Sequence, residues 1–165
     1  VGCLMVKDKM YDPELDGIGH INIYSQGKTS LGQFLSNFSY FPLKTEDGEF
    51  KSIEGYWYWL LSKDSERKDE LRTVFGFKAK ELGRKLSEGS DWADREDIDF
   101  QNKIKNAIKY KTDNCTPQMK RQFKESVLPF AHYYVYKDKI KLPSGGGWII
   151  EYFEKLRKDI NNDSR

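Results

Sequence analysis

One domain in which helices outnumber a few short strands is what the residues predict, on three observations. The chain has 165 residues, enough to enclose one substantial core without a second. Apolar residues recur at helical spacing after Lys63, between Ile98 and Lys111, and again from Trp148 to Leu156. Between two apolar runs, Glu46-Asp47-Gly48 marks a hairpin, because Asp-Gly tolerates the positive φ of a tight turn. We expect an N-terminal arm over residues 1–19, the domain over 20–160 and a frayed end over 161–165.

Val1 to Gly19 mixes Lys, Asp, Pro and Gly without sustained period, so it reads as a loosely packed arm or an irregular turn, with no chemistry assigned. Ile21, Ile23 and Tyr24 give a short strand, and residues 25–29 a loop. Gly27-Lys28-Thr29 invites a phosphate-loop reading, but that motif needs a glycine where Asn22 stands. Lys28 is left as either an isolated phosphate contact or a solvated loop lysine. Phe34-Leu35-Ser36-Asn37-Phe38 reads as a buried loop whose Ser and Asn satisfy backbone groups or a ligand.

The hairpin strands Tyr40–Leu43 and Glu49–Lys51 lead into Ser52-Ile53-Glu54-Gly55-Tyr56-Trp57-Tyr58-Trp59-Leu60-Leu61. From Tyr56 to Leu61 this segment has no polar face, so it predicts a helix covered on nearly all sides, with Ser52 as its cap. Glu54 falls in the first turn and has two readings. It is an ordinary helix-start acid favoured by the free N–H groups, or a desolvated carboxylate that serves as catalytic acid, base or nucleophile.

Leu71, Val74 and Phe75 continue at helical spacing, and after Gly76 a second helix runs from Phe77 to Leu86 with apolar positions inward and Lys78, Lys80, Arg84 and Lys85 largely outward. That basic face is either solvated or a phosphate cradle. Trp92 stands alone among polar residues, as a core plug or a stacking platform. Ile98, Ile104, Ala107 and Ile108 mark the buried stripe of a longer helix. Thr116 caps and Pro117 opens the next, which reaches about Val127 and is stopped by Pro129. Phe130 to Tyr136, including His132 and Tyr134, is strand by composition. The glycines from Gly145 to Gly147 form a hinge or let the backbone approach a ligand closely, and an amphipathic helix closes the chain.

Aromatics make up 15% of a chain that is 33% charged, so rings must fill the core and line any pocket. A net charge of +2 is too mild to announce a non-specific nucleic-acid binder. Cys3 and Cys115 make no disulfide framework. No apolar run has membrane-spanning length and no leader pattern is present, which predicts a protein of a reducing cytoplasm without a membrane partner. Two histidines without paired cysteines predict neither a metal site nor a cofactor, and oligomeric state is unspecified.

Taken together, Ile21-Asn22-Ile23-Tyr24, Leu35-Ser36-Asn37-Phe38, the Asp47-Gly48 turn, Ser52-Ile53-Glu54-Gly55-Tyr56, Lys80-Glu81-Leu82-Gly83-Arg84, Trp92 and Leu156-Arg157 resemble the NADAR (YbiA-like) family in its order, over Ile21 to Arg157. The resemblance implies a helix-rich α+β fold with a small β-sheet and an N-glycosidase acting on ribose-linked substrates. These include ADP-ribose attached to guanine in nucleic acid and ribosylated intermediates of riboflavin synthesis. Two departures stand out. Leu61 occupies the place of a lysine usual on that helix, with Lys63 nearest, and a later Asp-x-x-Trp-Gly segment is missing, with His132-Tyr133-Tyr134 in its neighbourhood. The aromatic helix and this His-Tyr-Tyr run resemble a branch carried by large tailed phages, for which the location would be the host cytoplasm.

Under that resemblance Glu54 would stabilise an oxocarbenium-like ribosyl centre or activate water. His132 would protonate the leaving base or be a plain packed histidine. Asn37 would hold ribose hydroxyls, Lys80 and Arg84 a diphosphate, and Trp92 or Tyr134 would stack on a base. Lys28, Tyr58 and Gly147 complete the expected substrate-binding set. The expected partner is ADP-ribose or a related nucleotide, free or on ADP-ribosylated nucleic acid. Two rivals are a non-catalytic ADP-ribose-binding module and a purely structural domain whose Glu54 pocket is filled by side chains.

Overall fold

A computed structural model describes residues 11–63, 65–88, 90, 92–143, 145 and 147–163, without the side chains of residues 92 and 93. In chain order the elements are a 3-10 turn at Pro13–Leu15, β1 (Ile21–Asn22), α1 (Ser30–Leu35), β2 (Leu43–Thr45), β3 (Gly48–Phe50), α2 (Ile53–Leu61), a 3-10 helix at Lys68–Thr73, α3 (Gly76–Leu86), α4 (Trp92–Glu96), α5 (Ile98–Asn114), α6 (Pro117–Glu125), β4 (Phe130–Ala131), β5 (Tyr134–Tyr136), β6 (Lys139–Lys141) and α7 (Gly147–Asp163). The class is mixed α+β and helix-rich, as expected, but the sheet is dispersed. Its strands form three two-stranded pairs: β1 with β4 in parallel, and β2 with β3 and β5 with β6 antiparallel. Contacts divide the chain into two compact units, one formed by the residues up to Ser36 with those from Thr116 onward, the other by Asn37–Cys115.

In the first unit β1 and β4 pair Ile21 with Phe130 and Asn22 with Ala131. The core around them includes Leu31, Leu35, Phe123, Phe130, Phe153 and Leu156. Phe130 stacks on Phe123 at 5.9 Å and meets Phe153 edge-on at 6.1 Å. Arg157 lies over the Phe130 ring at 4.2 Å while donating to Ser126 Oγ, the Leu128 carbonyl and Glu154. A guanidinium can be buried there because its donors are answered by fixed acceptors.

In the second unit the hairpin pairs Leu43 with Phe50 across the expected turn, and Gly48 alone supplies the positive φ. Ser52 caps α2 by accepting from the Gly55 N–H, and its hydroxyl donates onward to the Val74 carbonyl. The helix is buried on most sides, through Ile53, Tyr56, Tyr58 and Leu61. Its Trp57 meets Phe100 of α5 edge-on at 4.8 Å. Tyr56 donates to Asp47, which also takes Lys103 at 3.0 Å, so the hairpin turn is tied to both helices.

Several local expectations are corrected. The Phe34–Phe38 stretch is half helix, since Thr29 caps the Gly32 N–H and starts α1. The stretch at Leu71, Val74 and Phe75 is a 3-10 turn followed by extended backbone, so Leu71 is buried while Phe75 is exposed. Phe77 and Ile98 are 66% and 62% exposed, because α3 turns Ala79 and Gly83 inward and α5 turns Phe100 inward in their place. The run from Phe130 to Tyr136 is two strands belonging to different pairs, and β6, which reads as polar, was not anticipated. Residues 161–163 continue α7, with Asn161 donating to the Lys124 and Arg157 carbonyls.

Candidate functional site

Glu54 sits in the first turn of α2 with its N–H bonded to the Asn37 carbonyl at 2.9 Å. It is 9% exposed. Among the described residues nothing donates a hydrogen bond to its carboxyl, and no fully buried oxygen lacks a partner, so its oxygens keep only a trace of contact with solvent. Burial pushes its pKa up to about 7, against the opposing pull of Lys80 and Arg84. Desolvation disfavours the charged form, and the two cations return part of what is lost.

Those cations stand one turn apart on α3. The approach of α3 to α2 depends on Gly83, where a Cβ would lie 2.1 Å from Tyr58 Cγ. A Cβ on Gly55 would lie 2.4 Å from the Leu71 carbonyl oxygen. Gly55 thus lets the Leu71 backbone, and Gly83 the Tyr58 ring, approach closely. Tyr58, one turn beyond Glu54, is buried, and its hydroxyl pKa is raised by burial and by the Glu54 charge, with Arg84 opposing. Lys80 also lies 5.9 Å from the Phe38 ring centroid. The Asn37 side chain has no described partner in the protein and carries both donors and an acceptor.

The second unit therefore brings together Asn37, Glu54, Tyr58, Lys80 and Arg84 from the sequence's site residues. Trp92 begins α4, and its side chain lies outside the described residues. Lys28, His132, Tyr134 and Gly147 belong to the other unit. The Lys28 N–H donates to Asp16 and its side chain is exposed. His132 donates from Nδ1 to the Ile23 carbonyl at 2.6 Å and meets the Tyr134 ring edge-on, and Tyr134 in turn meets Tyr24. Gly147 opens α7 with open space where a Cβ would point, so no contact with a described protein group requires glycine there. Ser144 and Gly146, from the same loop, lie outside the described residues.

Lys111 on α5 was missed. It is 1% exposed, donates to Ser39 Oγ, and burial drives its pKa down to about 7 against the influence of Cys115. Its position, three and four residues past Ile108 and Ala107, was the available signal, since that spacing extends the buried stripe. The segment Asn37–Ser39 is thus bonded to Glu54 through Asn37 and to Lys111 through Ser39. No group of three or more His, Cys, Asp or Glu among the described residues could hold a metal. No described helix is long and apolar enough to cross a membrane.

Among solved structures, the NMR structure of the E. coli protein YbiA superposes with a TM-score of 0.64, covering 89% of this chain and 91% of that one at 17% sequence identity. The fold is YbiA-like. The resemblance read from the motifs is borne out at the level of fold. No protein-family model and no curated protein matches the sequence. In the YbiA-like fold of this chain the Ser52–Tyr56 and Lys80–Arg84 motifs belong to the adjoining helices α2 and α3, whose contact Gly83 permits.

Proposed function

We propose that this chain hydrolyses the N-glycosidic bond between a ribose and a base, removing ADP-ribose from guanine bases of nucleic acid. The observation that carries the reading is Glu54: a buried carboxyl raised to about 7, given no hydrogen bond by the described residues and flanked by two cations. A group poised near the working pH can both take and return a proton.

The chemistry balances on that group. As the C1′–N bond breaks, its electron pair leaves with the base and positive charge grows on the ribosyl carbon, where the Glu54 carboxylate stabilises it. Water attacks C1′ and loses a proton to Glu54. The departing nitrogen then takes that proton and restores the carboxylate. Lys80 and Arg84 suit the diphosphate, and the Asn37 amide, with no hydrogen bond to another described residue, suits ribose hydroxyls.

Leu61, buried where the resembling family carries lysine, favours a second reading in which ADP-ribose is bound and not cleaved. Incubating the protein with ADP-ribosylated DNA, free ADP-ribose conjugates and riboflavin-pathway ribosides, with product masses read by mass spectrometry, separates the two. Released ADP-ribose that disappears in Glu54→Gln supports hydrolysis. Saturable ADP-ribose binding with no product from any substrate supports the binding module instead.

A further inference from the structure

The β5–β6 hairpin pairs Tyr134 with Lys141, Val135 with Ile140 and Tyr136 with Lys139. Residues directly opposite each other share a face, so one face carries two tyrosines and two lysines and the other carries Val135 and Ile140. Tyr136 is 69% exposed. At the turn Lys137 takes φ 54°, and its ammonium lies 5.6 Å from the Tyr136 ring centroid. The hairpin pairs with no further strand among the described residues, and from Tyr134 to Lys141 it holds three lysines and one acid, Asp138.

We infer that this Tyr–Lys face binds single-stranded nucleic acid, with Tyr136 and Tyr134 stacking on bases and Lys137, Lys139 and Lys141 meeting phosphates. Aromatic rings interleaved with cations are the surface that a single strand selects, because every base has a face to stack and every linkage a charge to neutralise. Two residues along a strand span about 6.6 Å, close to twice the ~3.4 Å rise of stacked bases. The two rings can therefore meet alternate bases. The Tyr134 ring is already propped by Tyr24 at 5.6 Å, which lowers the cost of ordering it.

Lysines on a short exposed strand also guard against edge pairing, but that role gives no reason to expose a tyrosine beside them. A lipid surface would favour an apolar tip, whereas the tip here is Lys137-Asp138.

The test is a fluorescence-anisotropy titration of the full chain with a labelled mixed-sequence single-stranded DNA oligonucleotide, at several salt concentrations. The oligonucleotide carries no ADP-ribose, so the outcome is independent of whether the hydrolysis reading stands. Tyr136→Ala is expected to weaken binding by about tenfold. Lys139→Ala with Lys141→Ala should lower the slope of log affinity against log salt by about 1 to 2. Ile140→Ser, on the opposite face, should bind as wild type does, with circular dichroism confirming that each variant is folded. If a variant unfolds, Lys139→Glu and Tyr136→Ser replace it. No binding by wild type, binding indifferent to both tyrosine and lysine changes, or Tyr136-dependent binding to phosphatidylserine vesicles with none to DNA would each overturn the inference.

Discussion

Asp16 in the first unit and Glu54 in the second are both buried carboxylates, yet only one is answered from within. Asp16 accepts from the Asn22 N–H at 2.9 Å on one oxygen and from the Lys28 N–H at 2.8 Å on the other. The groups around it are equally engaged: Asn22 bonds the Tyr133 backbone at both its N–H and its carbonyl, and Tyr133 meets His20 Nε2 at 2.6 Å. Among the described residues Glu54 has no such donors. A buried acid bonded to backbone N–H groups holds a loop in place, while a buried acid that no described group hydrogen-bonds carries no such architectural bond. Asp16 comes from a segment to which the residues assigned no chemistry, and its role is architectural.

The comparison can be broken by exchanging each acid for its amide. Glu54→Gln should lower kcat by about 10²–10⁴-fold, with Tm held or raised. Asp16→Asn should leave kcat per folded molecule unchanged and cost about 1.5–3 kcal/mol of stability, because bonds to a charged acceptor are the strong ones. Chemical denaturation beside steady-state kinetics checks both.

The pH dependence of folding sharpens the same contrast. Glu54 has a folded pKa of about 7 against an ordinary 4.5, so between those values the folded state holds the proton more tightly. Its contribution is present below about 4.5 and is lost as pH rises through 7, roughly 3 kcal/mol in all. Denaturation midpoints across that window should fall in wild type relative to Glu54→Gln, which lacks this contribution. A smaller effect is expected from Lys80→Ala with Arg84→Ala. Both cations hold the Glu54 pKa down, so removing them should raise it above about 7. ADP-ribose affinity should fall more than ribose affinity, as calorimetry with the two ligands would show.

How far the sequence disclosed this varied with what stabilises each element. The α2 helix and its Ser52 cap were legible because six consecutive apolar residues admit no exposed face. The α1 helix was not, since six residues with Gly32 among them have little intrinsic helicity; the Thr29 cap and burial of Leu31 and Leu35 hold it. The β6 strand escaped notice because Lys139-Ile140-Lys141 is only three residues long and exposed throughout, too short a run for its alternation to be read. Phe77 was misplaced because spacing gives a period and no phase. Glu54, Lys80 and Arg84 were recoverable from their motifs, but the lack of a donor to Glu54 among the described residues depends on tertiary neighbours. Lys111 kept the period of the buried stripe, and its charge masked it.

The most direct test of the Glu54 account is the pH profile of kcat on whichever substrate the wild type cleaves, beside that of Lys80→Ala with Arg84→Ala. A carboxylate that must be charged gives activity rising about tenfold per pH unit below 7 and levelling above it, with the rise displaced to higher pH in the double variant. A profile already flat down to pH 5, or one that Glu54→Gln reproduces, would contradict the assignment.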